Sequence, residues 1–122
     1  GQTASISLGT GFAVTNAIQG NLTIQNTGNS DVHFTSTAEC TATVNGNLNI
    51  SGGQLDIAFT TSTNRTVAVL GNFSMSAGTM TPTVSTSTDG TLNVSGDFSL
   101  SGGTINMSST AKIGIINVSG NF

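Results

Sequence analysis

The sequence predicts an all-β fold: a parallel β-helix (β-solenoid) with about 25 residues and three short strands in each turn. A motif of Gly, then Asn or Asp, then alternating apolar residues recurs at intervals of 26, 25, 25 and 24 residues. Within the repeats, apolar and polar residues alternate, as they do on strands. Thr, Ser, Gly and Asn make up 66 of the 122 residues, and helix-forming residues are scarce.

A β-sandwich is the alternative fold, because hairpin meanders also show alternation with a period of two. A meander, however, gives no reason for equivalent residues to return every 25 positions. In a coil, each strand stacks in parallel on its counterpart one turn away, at a spacing of about 4.8 Å. We expect the coil to be right-handed, like other crossover connections between parallel strands.

The repeats divide the chain into two parts. Residues 1–19 are expected to form an N-terminal partial turn or edge segment, since their alternation lacks the full repeat. Residues 20–122 hold the β-helix repeats, which start at positions 20, 46, 71, 96 and 120. Solenoids need polar caps, and the last repeat breaks off without one. We therefore expect a fragment of a longer solenoid, or ends that are covered by neighbouring copies.

Each turn is expected to contain three strand segments that point alternate apolar residues into a central bore. The first segment follows the opening Gly and contributes Leu22/Ile24, Leu48/Ile50, Phe73/Met75 and Phe98/Leu100. The second segment follows a further turn signal and contributes Val32/Phe34, Leu55/Ile57, Met80/Pro82 and Ile105/Met107. The third segment precedes the next Gly and contributes Ala42/Val44, Val67/Val69, Leu92/Val94 and Ile116/Val118. Stacking then predicts a core column of Leu22, Leu48, Phe73, Phe98 and Phe122.

The residues that open the repeats should form a structural ladder at one corner of the coil. Its glycines are Gly20, Gly46, Gly71, Gly96 and Gly120, where we expect a positive φ. Beside them stand Asn21, Asn47, Asn72, Asp97 and Asn121, whose side chains can hydrogen-bond along the axis. A row of cation ligands is the alternative interpretation, but one acid in the column makes a corner staple the better one.

Composition argues against several function classes. One Lys and one Arg in a chain of net charge −3 cannot neutralise a row of phosphates, so we expect no nucleic-acid partner. No apolar run is long enough to cross a membrane as a helix, so no membrane insertion is expected in this segment. The carboxylates fall at different points of the repeat, which predicts no catalytic groove, no cofactor and no metal site.

Two isolated residues are candidates for a functional site. Cys40 shares the parity of the inward positions and is expected to be a buried hydrophobe rather than a reactive thiol. His33 should point outward beside Asp56, with Asp31 nearby. A histidine–carboxylate contact could orient a nucleophile or form half a metal site, but a solvated cross-strand pair is the expected role.

The runs GNLNISGGQLDI, GNFSMSAGTM and LNVSGDFSLSGGTINM resemble repeats of large surface or secreted β-helix proteins of the Bacteroidota. Those proteins are commonly exported by the type IX secretion system. The resemblance implies an extracellular or cell-surface stalk, filament or adhesin without catalytic residues. Its expected partners are further repeats or neighbouring copies stacked end to end, with surface glycans as a further class.

Two other functions stay open. One is a carbohydrate-binding or glycan-processing β-helix whose site lies outside this segment. The other is an ice-binding solenoid, since Thr79, Thr81 and Thr83 look like one rung of a threonine face. The neighbouring rungs do not repeat this threonine pattern, which makes ice binding the minor alternative.

Overall fold

The computed structural model describes residues 17–27, 31–33, 40–58, 64–84, 86–107 and 112–122. Four sequence predictions concern residues outside this part, or side chains that it does not describe. They involve most of the segment 1–19, Phe34, and the side chains of His33 and Cys40.

The described residues form eleven strands and no helix. The strands are β1 (Ala17–Ile18), β2 (Leu22–Ile24), β3 (Val32–His33), β4 (Cys40–Val44), β5 (Leu48–Ala58), β6 (Arg65–Val69), β7 (Phe73–Thr83), β8 (Gly90–Val94), β9 (Phe98–Leu100), β10 (Thr104–Ile105) and β11 (Gly114–Val118). One sheet has the order β1-β4-β6-β8-β11. The other runs β10-β7-β5-β2, with β3 also on β5 and β9 also on β7.

Every strand pair in the described residues is parallel, which confirms the β-solenoid. Leu48 pairs with Phe73, and Phe73 pairs with Phe98, so partners lie 25 positions apart. The third segments pair in the same way, with Val69 between Val44 and Val94. A meander would pair successive segments in antiparallel fashion, and no described pair does so.

The first and second predicted segments join into one 11-residue strand in the two middle turns, as β5 and β7. The Gly-rich stretch between them bends the strand without ending it, and the pairing register of β5 and β7 shifts there. Gly53 and Gly78 take positive φ values of 73° and 88° at this bend. Because such φ values strain other residues, glycine is needed at both positions.

The core lies in the bore between the two sheets and follows the predicted columns. Leu48 and Phe73 are fully buried, and Phe98 is 5% exposed. The rings of Phe73 and Phe98 stack with centroids 4.5 Å apart, and those of Phe98 and Phe122 stack at 5.0 Å. The aromatic column predicted from the repeat is therefore present.

The last turn departs from the expected burial. Leu100 and Met107 were expected in the bore, but they are 48% and 40% exposed. Phe122 is 92% exposed. Their equivalents one turn earlier are buried because the next turn covers them, whereas nothing in the described residues covers these three in the same way.

No described part of the chain forms a helix of the length and hydrophobicity that crossing a membrane requires.

Candidate functional site

The predicted corner ladder is joined by a repeated hydrogen bond. The side-chain Oδ1 of each corner residue accepts the backbone N–H of the corner residue in the next turn. The links run from Asn21 to Asn47 (2.8 Å), Asn47 to Asn72 (2.8 Å), Asn72 to Asp97 (2.9 Å) and Asp97 to Asn121 (2.8 Å). Asp97 Oδ1 also accepts from Asn121 Nδ2 at 3.0 Å. Because these oxygens already accept protein N–H groups, the contacts are those of a staple between turns.

The glycines beside this ladder are needed for close approach and not for a positive φ. Among the described glycines only Gly53, Gly78 and Gly103 have a positive φ, so the expected φ at the corner was wrong. A Cβ at Gly71 would collide with Asn47 Oδ1 and lie 2.8 Å from the carbonyl oxygen of Gly46. Turns stacked at strand spacing leave no room for a side chain here.

A second ladder at another corner escaped the sequence analysis. Asn64 Oδ1 accepts the backbone N–H of Asp89 at 2.9 Å, and Asp89 Oδ1 accepts that of Ile113 at 3.2 Å. Each of these residues directly precedes the third strand of its turn. The 25-residue interval between Asn64 and Asp89 was a usable signal, but no conspicuous glycine motif accompanies it.

Arg65, the residue after Asn64, is also unexpected, because it is only 2% exposed. It shares the inward parity of Val67 and Val69 on β6. Its Nη1 donates to the carbonyl oxygen of Asn64 at 3.2 Å. The sequence analysis assigned no inward position to this arginine, and its parity was the signal that was overlooked.

The outer face of the second segment is covered, which corrects two expectations. Asp56 faces away from the core residue Leu55 as predicted, but it is 2% exposed and not solvated. The Gln54 side chain donates from Nε2 to Asp56 Oδ2 at 2.9 Å. Thr81 and Thr83 are 6% and 0% exposed, so this rung is no threonine surface for ice.

Asp56 is the described group with a perturbed protonation equilibrium. The pKa of Asp56 is raised from 3.8 to about 6, mainly by burial and to a lesser extent by the neighbouring carboxyl of Asp31. Hydrogen bonds from Gln54 and Thr81 act in the opposite direction. His33 pairs with Asp56 through the strand register, as predicted. The structure thus brings Asp31 close to Asp56 in the register, with Asp56 buried and Asp31 half-buried.

An apolar hollow opens at the C-terminal end of the bore. Its volume is about 450 Å³, and its lining includes Leu100, Ile105, Met107, Ile116 and Phe122. It is the continuation of the core at a turn whose strands β9, β10 and β11 each pair on one side only within the described residues. The surface complementary to this hollow is another turn with inward apolar residues.

The described residues contain no group of three or more His, Cys, Asp or Glu side chains that could hold a metal ion. The side chains of the two corner ladders hydrogen-bond from one turn to the next. Two acidic side chains meet at Asp31 and Asp56. The open edge can pair with a further β-helical turn, and the carboxyl pair can take up a proton.

Comparisons with known proteins returned no relatives. No protein-family model matches the chain, no curated protein matches its sequence, and no solved structure matches its fold.

Proposed function

We propose that this chain is a non-catalytic structural module of an extracellular stalk, filament or adhesin that is built by stacking β-helical turns. The observation that carries the proposal is the edge of the last turn. There the strands β9, β10 and β11 pair on one side only, next to the open apolar hollow. Further repeats of the same chain, or a neighbouring copy, are the partners that fit this edge.

The uniform contact between turns supports the proposal. The same hydrogen bonds recur between successive turns. For example, the N–H of Gly71 donates to the carbonyl oxygen of Gly46 at 3.1 Å, and the N–H of Gly96 donates to that of Gly71 at 3.0 Å. An interface that is repeated within a chain can be continued by a second chain with the same turn. Contacts of this head-to-tail kind do not close on themselves, so they build open filaments.

The resemblance of the G-N-F repeats to surface and secreted β-helix proteins of the Bacteroidota supports the extracellular setting of the proposal. The scarcity of charged residues, 6% of the chain, agrees with a module whose surface is made of neutral polar side chains. Surface glycans are the partner class for such faces if the module is adhesive.

The test is the assembly state of the 122-residue chain, followed by light scattering and small-angle X-ray scattering over a concentration series. We expect elongated particles whose length grows with concentration. Phe122→Asp places a charge at the hollow and should suppress the growth, since a buried unpaired charge is costly. Leu70→Asp is the matched control, because Leu70 is 54% exposed and does not line the hollow.

Assembly that is equally weakened by both substitutions would contradict stacking through the hollow. A chain that stays monomeric at high concentration would count against the stacking of copies. Saturable binding of that monomer to a soluble polysaccharide would favour the carbohydrate-binding alternative.

A further inference from the structure

Two carboxyl groups from successive turns meet on the covered face of the second segment. Asp56 lies on β5, and Asp31 directly precedes β3, which pairs with β5 through Val32–Leu55 and His33–Asp56. Asp56 is 2% exposed, and its Oδ1 is buried without a hydrogen-bond donor in the described residues. Its other oxygen accepts from Gln54 Nε2 at 2.9 Å. The register places Asp31 next to this position on the adjacent strand, its Oδ2 is likewise buried, and its carboxyl contributes to the raised pKa of Asp56.

Two ionised carboxylates in this position would repel each other in a setting with little water. A proton held between them replaces the repulsion with an O–H to carboxylate hydrogen bond, which is among the stronger types. The free lone pairs of Asp56 Oδ1 then have a donor. A single proton therefore satisfies both the charge and the hydrogen-bonding requirement of the pair.

A divalent cation fits the same position less well. Calcium takes six to eight oxygen ligands, and the described residues bring two carboxyl groups to this point. The Gln54 amide also turns its N–H group towards Asp56, an arrangement that suits an anion and not a metal ion. The proton is the occupant that the donor set favours.

We propose that Asp31 and Asp56 form a proton-operated clasp, in which one proton taken up below neutral pH joins the two carboxyls and strengthens the stacking of β3 on β5. The neighbours of Asp56 that the described residues establish lie on three strands. On β5 the neighbour is Gln54, and on β7 it is Thr81, which pairs with Asp56 and is uncharged. On β3 the titratable residue is His33, the register partner of Asp56, and the experiment tests it separately.

The direction of the pH effect follows from the folded and unfolded states. Burial raises the pKa of Asp56 from 3.8 to about 6 in the folded chain. The stabilisation is therefore fully present below about pH 4 and is lost as the pH rises through about 6. A shift of about two pKa units corresponds to roughly a hundredfold change in the folding equilibrium constant.

The experiment combines an NMR titration of the Asp56 side-chain carboxyl carbon with urea unfolding at several pH values between 4 and 7.5. In the unmutated chain we expect a titration midpoint near pH 6 and roughly a hundredfold rise in the folding equilibrium constant on acidification. Asp56→Asn should remove most of this rise and be more stable than the unmutated chain at pH 7.5. Asp97→Asn, which removes an exposed carboxylate, is the matched control and should keep the rise.

A second variant keeps the clasp testable if Asp56→Asn fails to fold. Asp31→Asn removes the partner carboxyl, and the midpoint of Asp56 should then move to lower pH. An Asp56 midpoint near 4 in the unmutated chain would overturn the proposal. So would loss of the acid stabilisation in His33→Gln, which would make the imidazole the partner, or stabilisation by calcium at pH 7.5 that Asp56→Asn abolishes.

Discussion

At the scale of single residues, the corner glycines make one of the closest contacts between turns. The chain passes one turn above another so closely that a Cβ at Gly46, Gly71 or Gly96 would meet both an amide oxygen and a backbone carbonyl. These backbone carbonyls are held by hydrogen bonds between turns and cannot move aside as a flexible side chain can. The glycine column is thus a packing requirement.

Gly71→Ala should lower the free energy of unfolding by about 1–3 kcal/mol, the usual range for overpacking. Gly20→Ala is the matched control at the first position of the same column, because no atom lies within 4 Å of its Cβ. It should be neutral or stabilising by up to about 1 kcal/mol, since alanine restricts the unfolded chain. Urea unfolding measures both changes. Equal losses in the two variants would mean that backbone conformation, and not contact, decides.

Individual residues were predictable where the repeat alone fixes them. The positions of the corner ladder and of the aromatic column follow from spacing, because stacking brings equivalent residues together whatever the rest of the chain does. The burial of Asp56 was not predictable in this way, since it depends on where Gln54 and Asp31 place their side chains. The inward position of Arg65 could have been predicted from its parity. Because charged residues are rarely buried, however, parity alone is a weak signal for an arginine.

At the scale of the elements, the two longest strands, β5 and β7, each join two predicted segments into one. The sequence predicted separate segments on either side of Ser51-Gly52-Gly53 and Ser76-Ala77-Gly78. Turns and strand bulges use glycine for the same reason, a positive φ, so the local pattern does not distinguish them. The pairing of each strand with the next turn decides the outcome, and that pairing is a long-range property.

The strands should differ in their protection against hydrogen exchange. Backbone amides of the long strands β5 and β7 should exchange slowest, because both have partner strands on both sides and most of their inward residues are buried. Amides of β10, which pairs only with β7 in the described residues, should exchange at least about 10-fold faster. Exchange measured by mass spectrometry or NMR at constant pH tests this. Uniform protection from β5 to β11 would contradict it.

At the scale of the whole molecule, one turn is an interchangeable unit. The fold class was therefore predictable from the sequence. Each turn contacts only its neighbours, so a period near 25 residues is enough to identify the stacking. The open hollow and its exposed lining were less predictable, since they depend on what covers the last turn.

Duplicating residues 71–95 between Ser95 and Gly96 should therefore add one turn. The particle should lengthen by about 4.8 Å, the spacing of adjacent strands, and resist urea better than the unmodified chain. Small-angle scattering and urea unfolding measure the two effects. Duplicating only residues 84–95, about half a turn, is the control and should destabilise the fold by displacing every later register. A stabilising half-turn insertion would contradict a turn-by-turn architecture.

The parallel stacking also sets how the chain responds to force. Hydrogen bonds between turns run along the solenoid axis, so a pull on the chain at one end loads the bonds of a single rung before those of the next. The molecule should unfold stepwise under force, one turn at a time. Each released winding of about 25 residues would add roughly 85 Å of extended chain. Such a solenoid would dissipate mechanical energy in small, equal steps, and the turns that stay folded would serve as the template for refolding.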